Sequence, residues 1–226
     1  MKYQAIPLQQ FRESYHSEYS FEISLFFKPE HLLLQGGEKV WVLFAENKQE
    51  ITIMMSIFLE KSAAYSPLRM SFGGIIAKND LDYIHIEHFV DFALSFCKEQ
   101  GAESLQITSY PFSYAPNLSA IFTQIFLQKG FQITKSELTH FLAVKDSFEN
   151  KLHLSALRRL KKSKKNGFVL ELWEKPDLRF VYDFVAENRK RKGYPISMSF
   201  ENFEKTLQTF PEQYLTFVLK SKQEII

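Results

Sequence analysis

Two stretches of this chain carry residue types that can do chemistry. The first is Ser66-Pro67 followed by Ser71-Phe72-Gly73-Gly74, with Tyr65 just before it and Tyr110-Pro111 further on. Paired glycines beside a hydroxyl and a ring fit a bulged strand whose backbone approaches a ligand. The same residues also fit a sheet edge or a turn, so Tyr65, Ser71, Phe72, Gly73, Gly74 and Tyr110 stand as groove candidates. The second stretch, Arg158 to Lys165, has six basic residues in eight and no acid. Arg158, Arg159, Lys161, Lys162 and Lys165 could meet phosphates, or form a solvated helix face whose like charges repel. Arg189 to Lys192 is a second basic run, and Arg189 and Arg191 join the polyanion candidates. Cations at a helix C-terminus are also favoured on dipole grounds alone.

Other chemistries find little support. His85 and His88 lie three apart with Glu87 between them, which is not a zinc-binding His-Glu-x-x-His arrangement, and no third ligand is apparent. No metal is expected. Cys97 sits in an apolar helical stretch, with no second cysteine to pair with and no His placed to activate it. There is no P-loop, dinucleotide fingerprint or Ser/His/Asp order. Met1 to Gln10 lacks the apolar core of a signal peptide, and no apolar run reaches membrane-spanning length. A cytoplasmic location is expected, where a free thiol persists.

The net charge of +2 hides an asymmetry. Between Lys151 and Gly193 stand 13 Lys and Arg against 5 Asp and Glu; elsewhere 15 face 21. A positive segment on an otherwise acidic chain points to a local anionic partner. Phe occurs 23 times in 226 residues, enough to demand a sizeable core.

These candidates need elements to hold them. Lys39 to Ala45 and Ile51 to Leu59 read as a β-hairpin around a polar turn, and Leu68 to Ile76 as a third strand. Asp82 to Gln100 reads as a helix, with Asp80 or Asp82 as its cap and Gly101 past its end. Ser104 to Ser109 is a strand, and Asn117 to Gly130 bounds another helix. Phe131 to Val144 reads as two short strands, and Met1 to Pro29 gives no clear pattern. A domain boundary is expected at Lys145 to Asn150, dividing residues 1–147 from 148–226. Then come a basic helix over 152–166, a strand at Phe168 to Trp173, helices from Asp177 and Ser199, and a strand at Gln213 to Leu219. Ile225 and Ile226 read as the start of a returning strand, which leaves the Gln213–Leu219 edge open to a second copy or to further chain. Alternating strands and helices make an α/β fold with a mixed sheet.

With this order, Leu157 to Phe168, then Glu187 to Pro195, and Ser66-Pro67 with Ser71-Phe72-Gly73-Gly74 resemble the Fem-type tandem GNAT-fold acyltransferases. The resemblance implies two GNAT-like domains, the second incomplete over these residues. It implies an N-acyl or aminoacyl transfer from acyl-CoA or aminoacyl-tRNA to a small-molecule or peptide amine. Backbone N–H groups at a splayed strand would hold the oxyanion. It also implies a glycine-rich turn at a helix N-terminus for the donor's pyrophosphate. Here the sequence departs from the pattern: Ala77 to Asp82 contains no glycine and brings two aspartates to that position. The chain is therefore expected to hold no cofactor and to be inactive over these 226 residues. The competing expectation is a non-catalytic polyanion or nucleic-acid binding module that uses the basic helix.

Overall fold

A computed structural model describes residues 1–37, 39–140, 152–196, 198–221 and 224–225. The chain divides into two compact units, Met1–His140 and Phe141–Ile226. The expected boundary at 145–150, and the 147/148 division with it, lies outside the described residues.

The first unit opens with β1 (Lys2–Pro7), helix α1 (Leu8–Ser14), the short strand β2 (Glu18–Tyr19) and helix α2 (Pro29–Leu34). These elements gave no legible period because they are only two to seven residues long. The hairpin follows as β3 (Lys39–Asn47) and β4 (Glu50–Glu60). Its turn residues Lys48 and Gln49 both have positive φ, at 50° and 68°, which matches the twist of a two-residue hairpin. A bulge at Thr52 lets Ala45 face Ile53 while Glu46 faces Ile51, and the Thr52 hydroxyl donates to Ala45 O at 3.1 Å.

The expected strand Leu68–Ile76 is broken. β5 (Ala63–Ser66) and β6 (Ile75–Ala77) are separate segments with an excursion between them. Phe58 of β4 faces Tyr65; in an unbroken ladder Met55 would face Leu68, yet it faces Ile75. Helix α3 (Tyr83–Glu99) comes next, then β7 (Ser104–Ile107), parallel to β5, and helix α4 (Pro116–Gln128). Asp82 stands at the N-cap of α3, but neither it nor Asp80 caps with its side chain; Asp80 pairs with Lys78 at 3.1 Å instead. Residues 131–140 form no strand; the rest of that expected pair lies outside the described residues.

The sheet runs β1-β3-β4-β5-β7, with β2 and β6 also on β4. Side-chain alternation gives it two apolar faces. On one, Leu43, Met55 and Ile57 pack with Ile86, Phe89, Val90 and Ala93 of α3 and Phe122 and Ile125 of α4. On the other, Val42, Phe44, Met54 and Phe58 pack with Leu8 and Phe11 of α1 and Leu32 of α2. Each of the Leu, Ile, Val, Met and Phe side chains among them contributes about 1.5–3 kcal/mol on burial, so this sheet and its helices hold the main core of the first unit.

The second unit contains α5 (Leu154–Lys165), β8 (Phe168–Leu172), α6 (Leu178–Arg191), α7 (Phe200–Thr209), β9 (Phe217–Ser221) and β10 (Glu224–Ile225). Asp177 caps α6 through Phe180 N, and Ser199 caps α7 through Asn202 N. The sheet order is β10-β9-β8. β9 is therefore central, but β10 meets it only at Lys220 and Ser221, so among the described residues the Phe217–Leu219 edge on that side has no partner strand, as expected. Leu170 faces Leu219 and Leu172 faces Phe217 across the ladder, and all four are exposed. Among the described residues of this unit, only Phe210 and Val218 are buried hydrophobics.

Candidate functional site

The break between β5 and β6 builds the most site-like feature of the first unit. Ser66, fully buried, ties its base: its carbonyl accepts from Thr108 N at 2.9 Å and its hydroxyl accepts from Gly74 N at 3.2 Å. Gly73 N donates to Thr108 O at 2.8 Å and bridges to Ser109, extending the parallel pairing of β5 with β7 by one step. The peptide bond Ser66-Pro67 is cis. Residues 67–72 loop outward, and Gln35 holds that loop. Its Oε1 accepts from Leu68 N at 3.2 Å and Arg69 N at 3.3 Å. Phe72 is held by edge contacts with Phe26 at 4.8 Å and Tyr114 at 5.6 Å.

Beyond Gly73 the two strands part. Lys78 N donates to Thr52 O at 2.9 Å. In an antiparallel ladder the bonded pairs alternate, so Ile76 bonds to β4, while Ile75 and Ala77 turn their peptide groups the other way. That is the side on which Gly73 meets β7, and among the described residues no strand pairs with β6 there. The result is a cleft between β6 and the Ser109–Phe112 segment, roofed by α4. At its floor lies a cavity of about 20 Å³ walled by Gly73, Ile75, Tyr110, Ser119 and Phe122.

The structure sorts the candidates. Gly73 and Tyr110 share the cavity wall. Gly74, with φ of 77°, closes the excursion beside Ile107. Phe72 packs at the cleft's aromatic rim. Ser71 is exposed on the outward loop and lines no wall of the cavity. Tyr65 packs with the α1–α2 core on the opposite face of the sheet, because it is one residue out of phase with Ser66 on β5. Burial pushes the Tyr110 phenol up to about 12, with the nearby Ser119 hydroxyl opposing; Tyr110 is thus a proton holder, not an anion, at neutral pH. Burial likewise raises the Cys97 thiol to about 11, well removed from a reactive thiolate. Among the described residues no group of three His, Cys, Asp or Glu gathers, and His85 and His88 stand on the surface of α3.

Sequence reasoning missed Gln35 and Ser119, and named Ser66 only as part of a motif, not among the groove candidates. Ser119 had a signal: it interrupts the apolar face of α4 one turn before Phe122 and Thr123. Gln35 had none, because its partners are 33 and 34 residues away.

In the second unit Arg158, Arg159, Lys161, Lys162 and Lys165 are all exposed on α5, and among the described residues none forms an ion pair. α5 neighbours β8, the strand that follows it, and none of its residues is fully buried. Arg189 donates to Pro195 O at 3.1 and 3.3 Å, and Arg191 to Asn188, both in the last turn of α6. Arg189 is thus engaged in shaping the following loop.

No family model matches the chain, and no curated protein is similar to it in sequence at a significant level. Among solved structures, the crystal structure of FemX superposes on 98% of this chain with a TM-score of 0.63 at 15% identity. The chain spans 58% of the FemX chain. With its mixed sheet and flanking helices, the protein is similar in fold to FemX.

Proposed function

We propose that the chain is the scaffold of an N-acyl or aminoacyl transferase, in which an amine of a small molecule or peptide takes an acyl group from acyl-CoA or aminoacyl-tRNA. The observation that carries this reading is the cleft after Gly73. There the peptide groups of Ile75 and Ala77 face away from β4 with no strand opposite among the described residues, as backbone donors for an acyl oxygen must. On this reading Tyr110, protonated at the cleft floor, is the candidate proton donor to a leaving group. The GNAT-like character of the unit belongs to the same proposal, as does a reducing, cytoplasmic setting for the buried Cys97 thiol.

A donor pyrophosphate has no cradle at α3. The turn before it, Lys78 to Asp82, has no glycine, and Asp80 and Asp82 put negative charge where the helix N-terminus would attract an anion. Residues 1–226 alone are accordingly expected to show no turnover. The test combines transfer assays with acyl-CoA and aminoacyl-tRNA and backbone NMR of the Gly73–Ala77 amides. Shifts of those amides on adding either donor, without turnover, support the reading. Turnover with acyl-CoA overturns the proposed inactivity, and amides unmoved by both donors reject the cleft.

The exposed, unpaired cations of α5 favour a second reading, polyanion or nucleic-acid binding. If about 4–6 phosphates are contacted, affinity for a nucleic acid falls steeply with salt, with a log–log slope of roughly −3 to −5. A flat salt dependence removes that reading.

A further inference from the structure

Ser119 and Tyr110 are the two buried hydroxyl-bearing side chains in the cavity wall, and the Ser119 Oγ, 5% exposed as a residue, has no hydrogen bond of ordinary geometry among the described residues, only the loose approach through which it opposes the rise of the Tyr110 phenol. A buried hydroxyl left so costs about 1–3 kcal/mol, and native proteins rarely tolerate this without a partner. The backbone does not compete for it: Ser119 N donates to Ala115 O at 2.9 Å, and Ser119 O accepts from the Thr123 hydroxyl at 2.8 Å. Only the side-chain oxygen is left over.

The space in front of it decides what the partner is. The cavity measures about 20 Å³. A buried water needs about 10–15 Å³ of such space, so the cavity has room for one water with little to spare. An acyl chain or a thioester is too large. An empty void of this size normally has apolar walls, but this one has the Ser119 and Tyr110 hydroxyls, with Ser109 beside them. Ile75, Phe122 and Phe126 line its apolar side, and the exposed Ser109 and Phe112 stand at its outer end.

We propose that this niche holds a single water molecule bridging Ser119 Oγ and the Tyr110 phenol. The water satisfies both oxygens and fixes one hydrated point in the floor of the cleft, beneath the place where β6 and β7 part. It is held whether or not any donor enters the cleft above.

A crystal structure of the chain at high resolution, paired with water–amide cross-relaxation in solution, tests the assignment. The expected result is one density peak within about 3.2 Å of both oxygens, and a long-lived water signal at the Ser119 and Gly73 amides. Ser119→Val fills the niche with a methyl group and is expected to abolish the signal. Should that variant not fold, Tyr110→Phe keeps the ring packing and removes one partner, with an expected fall of about fivefold in occupancy, the equivalent of one net hydrogen bond. A dry niche in the native protein, a direct Ser119–Tyr110 hydrogen bond in the crystal, or a signal unchanged in the folded variant would overturn the proposal.

Discussion

Gly73 lies directly against the ring of Pro67: a Cβ at Gly73 would stand 2.9 Å from Pro67 Cδ and 3.0 Å from Pro67 N. This contact is why the excursion can leave and rejoin the sheet over so short a base. The first partner is a ring and the second is backbone, so neither can rotate away. Gly73→Ala is expected to cost about 1–3 kcal/mol, the usual penalty for forcing a methyl into a packed site. Urea denaturation measures it. A change below about 0.5 kcal/mol would mean that the excursion yields freely and does not hold the cleft open.

Gln35 should act on the same loop through its bonds to Leu68 and Arg69. Gln35→Leu leaves the amides of Leu68 and Arg69 without their shared acceptor. Hydrogen exchange at these two amides is expected to speed up about tenfold, while the β3–β4 core stays protected. Gln35→Glu retains an acceptor oxygen and should keep more of the protection. Equal effects of the two substitutions would show that packing, and not the hydrogen bonds, holds the loop.

Cys97 offers a pH test. Burial raises its thiol from 9.0 to about 11 in the folded chain, so the folded state holds the proton more tightly than the unfolded state. Its stabilising contribution is therefore complete below about pH 9 and is lost as pH rises through about 11. The native protein should lose stability relative to Cys97→Ala across that interval. Thiol reagents should react at neutral pH only after denaturant is added. Reaction of the native protein at the rate of an exposed thiol would contradict this burial.

The second unit should behave as one with an uncovered apolar sheet face. Leu170 and Phe217 are 66% and 56% exposed and lie in adjacent cross-strand pairs. A dye that fluoresces on apolar surface is expected to bind the folded protein. The double substitution Leu170→Glu with Leu219→Lys places opposite charges face to face and should cut that binding with little loss of stability. Unchanged fluorescence would locate the apolar surface elsewhere.

By itself the sequence determined the local elements. Ile86, Phe89, Val90, Ala93 and Phe96 recur at helical spacing, so α3 was legible end to end, with Gly101 in the left-handed conformation just past it. The β3–β4 hairpin, α4, the basic α5 and the capped α6 and α7 were legible for the same reason: each depends on period and on caps within a few residues. What only the tertiary structure decided is the site. Leu68 to Ile76 carries enough apolar residues to read as a strand, but pairing energy is realised only where a partner lies alongside. The ties from Ser66 to Thr108 and Gly74, and from Gln35 to Leu68, carry residues 67–72 out of the sheet. Thr108 and Gln35 are distant in sequence from the loop, so no local pattern announces their ties. The same holds for Tyr65 and Tyr110, which looked alike as tyrosines near strand ends. The pleat sent one to the α1–α2 core and the strand's departure sent the other to the cleft, because side-chain direction in a sheet depends on register, and register is a property of two strands together.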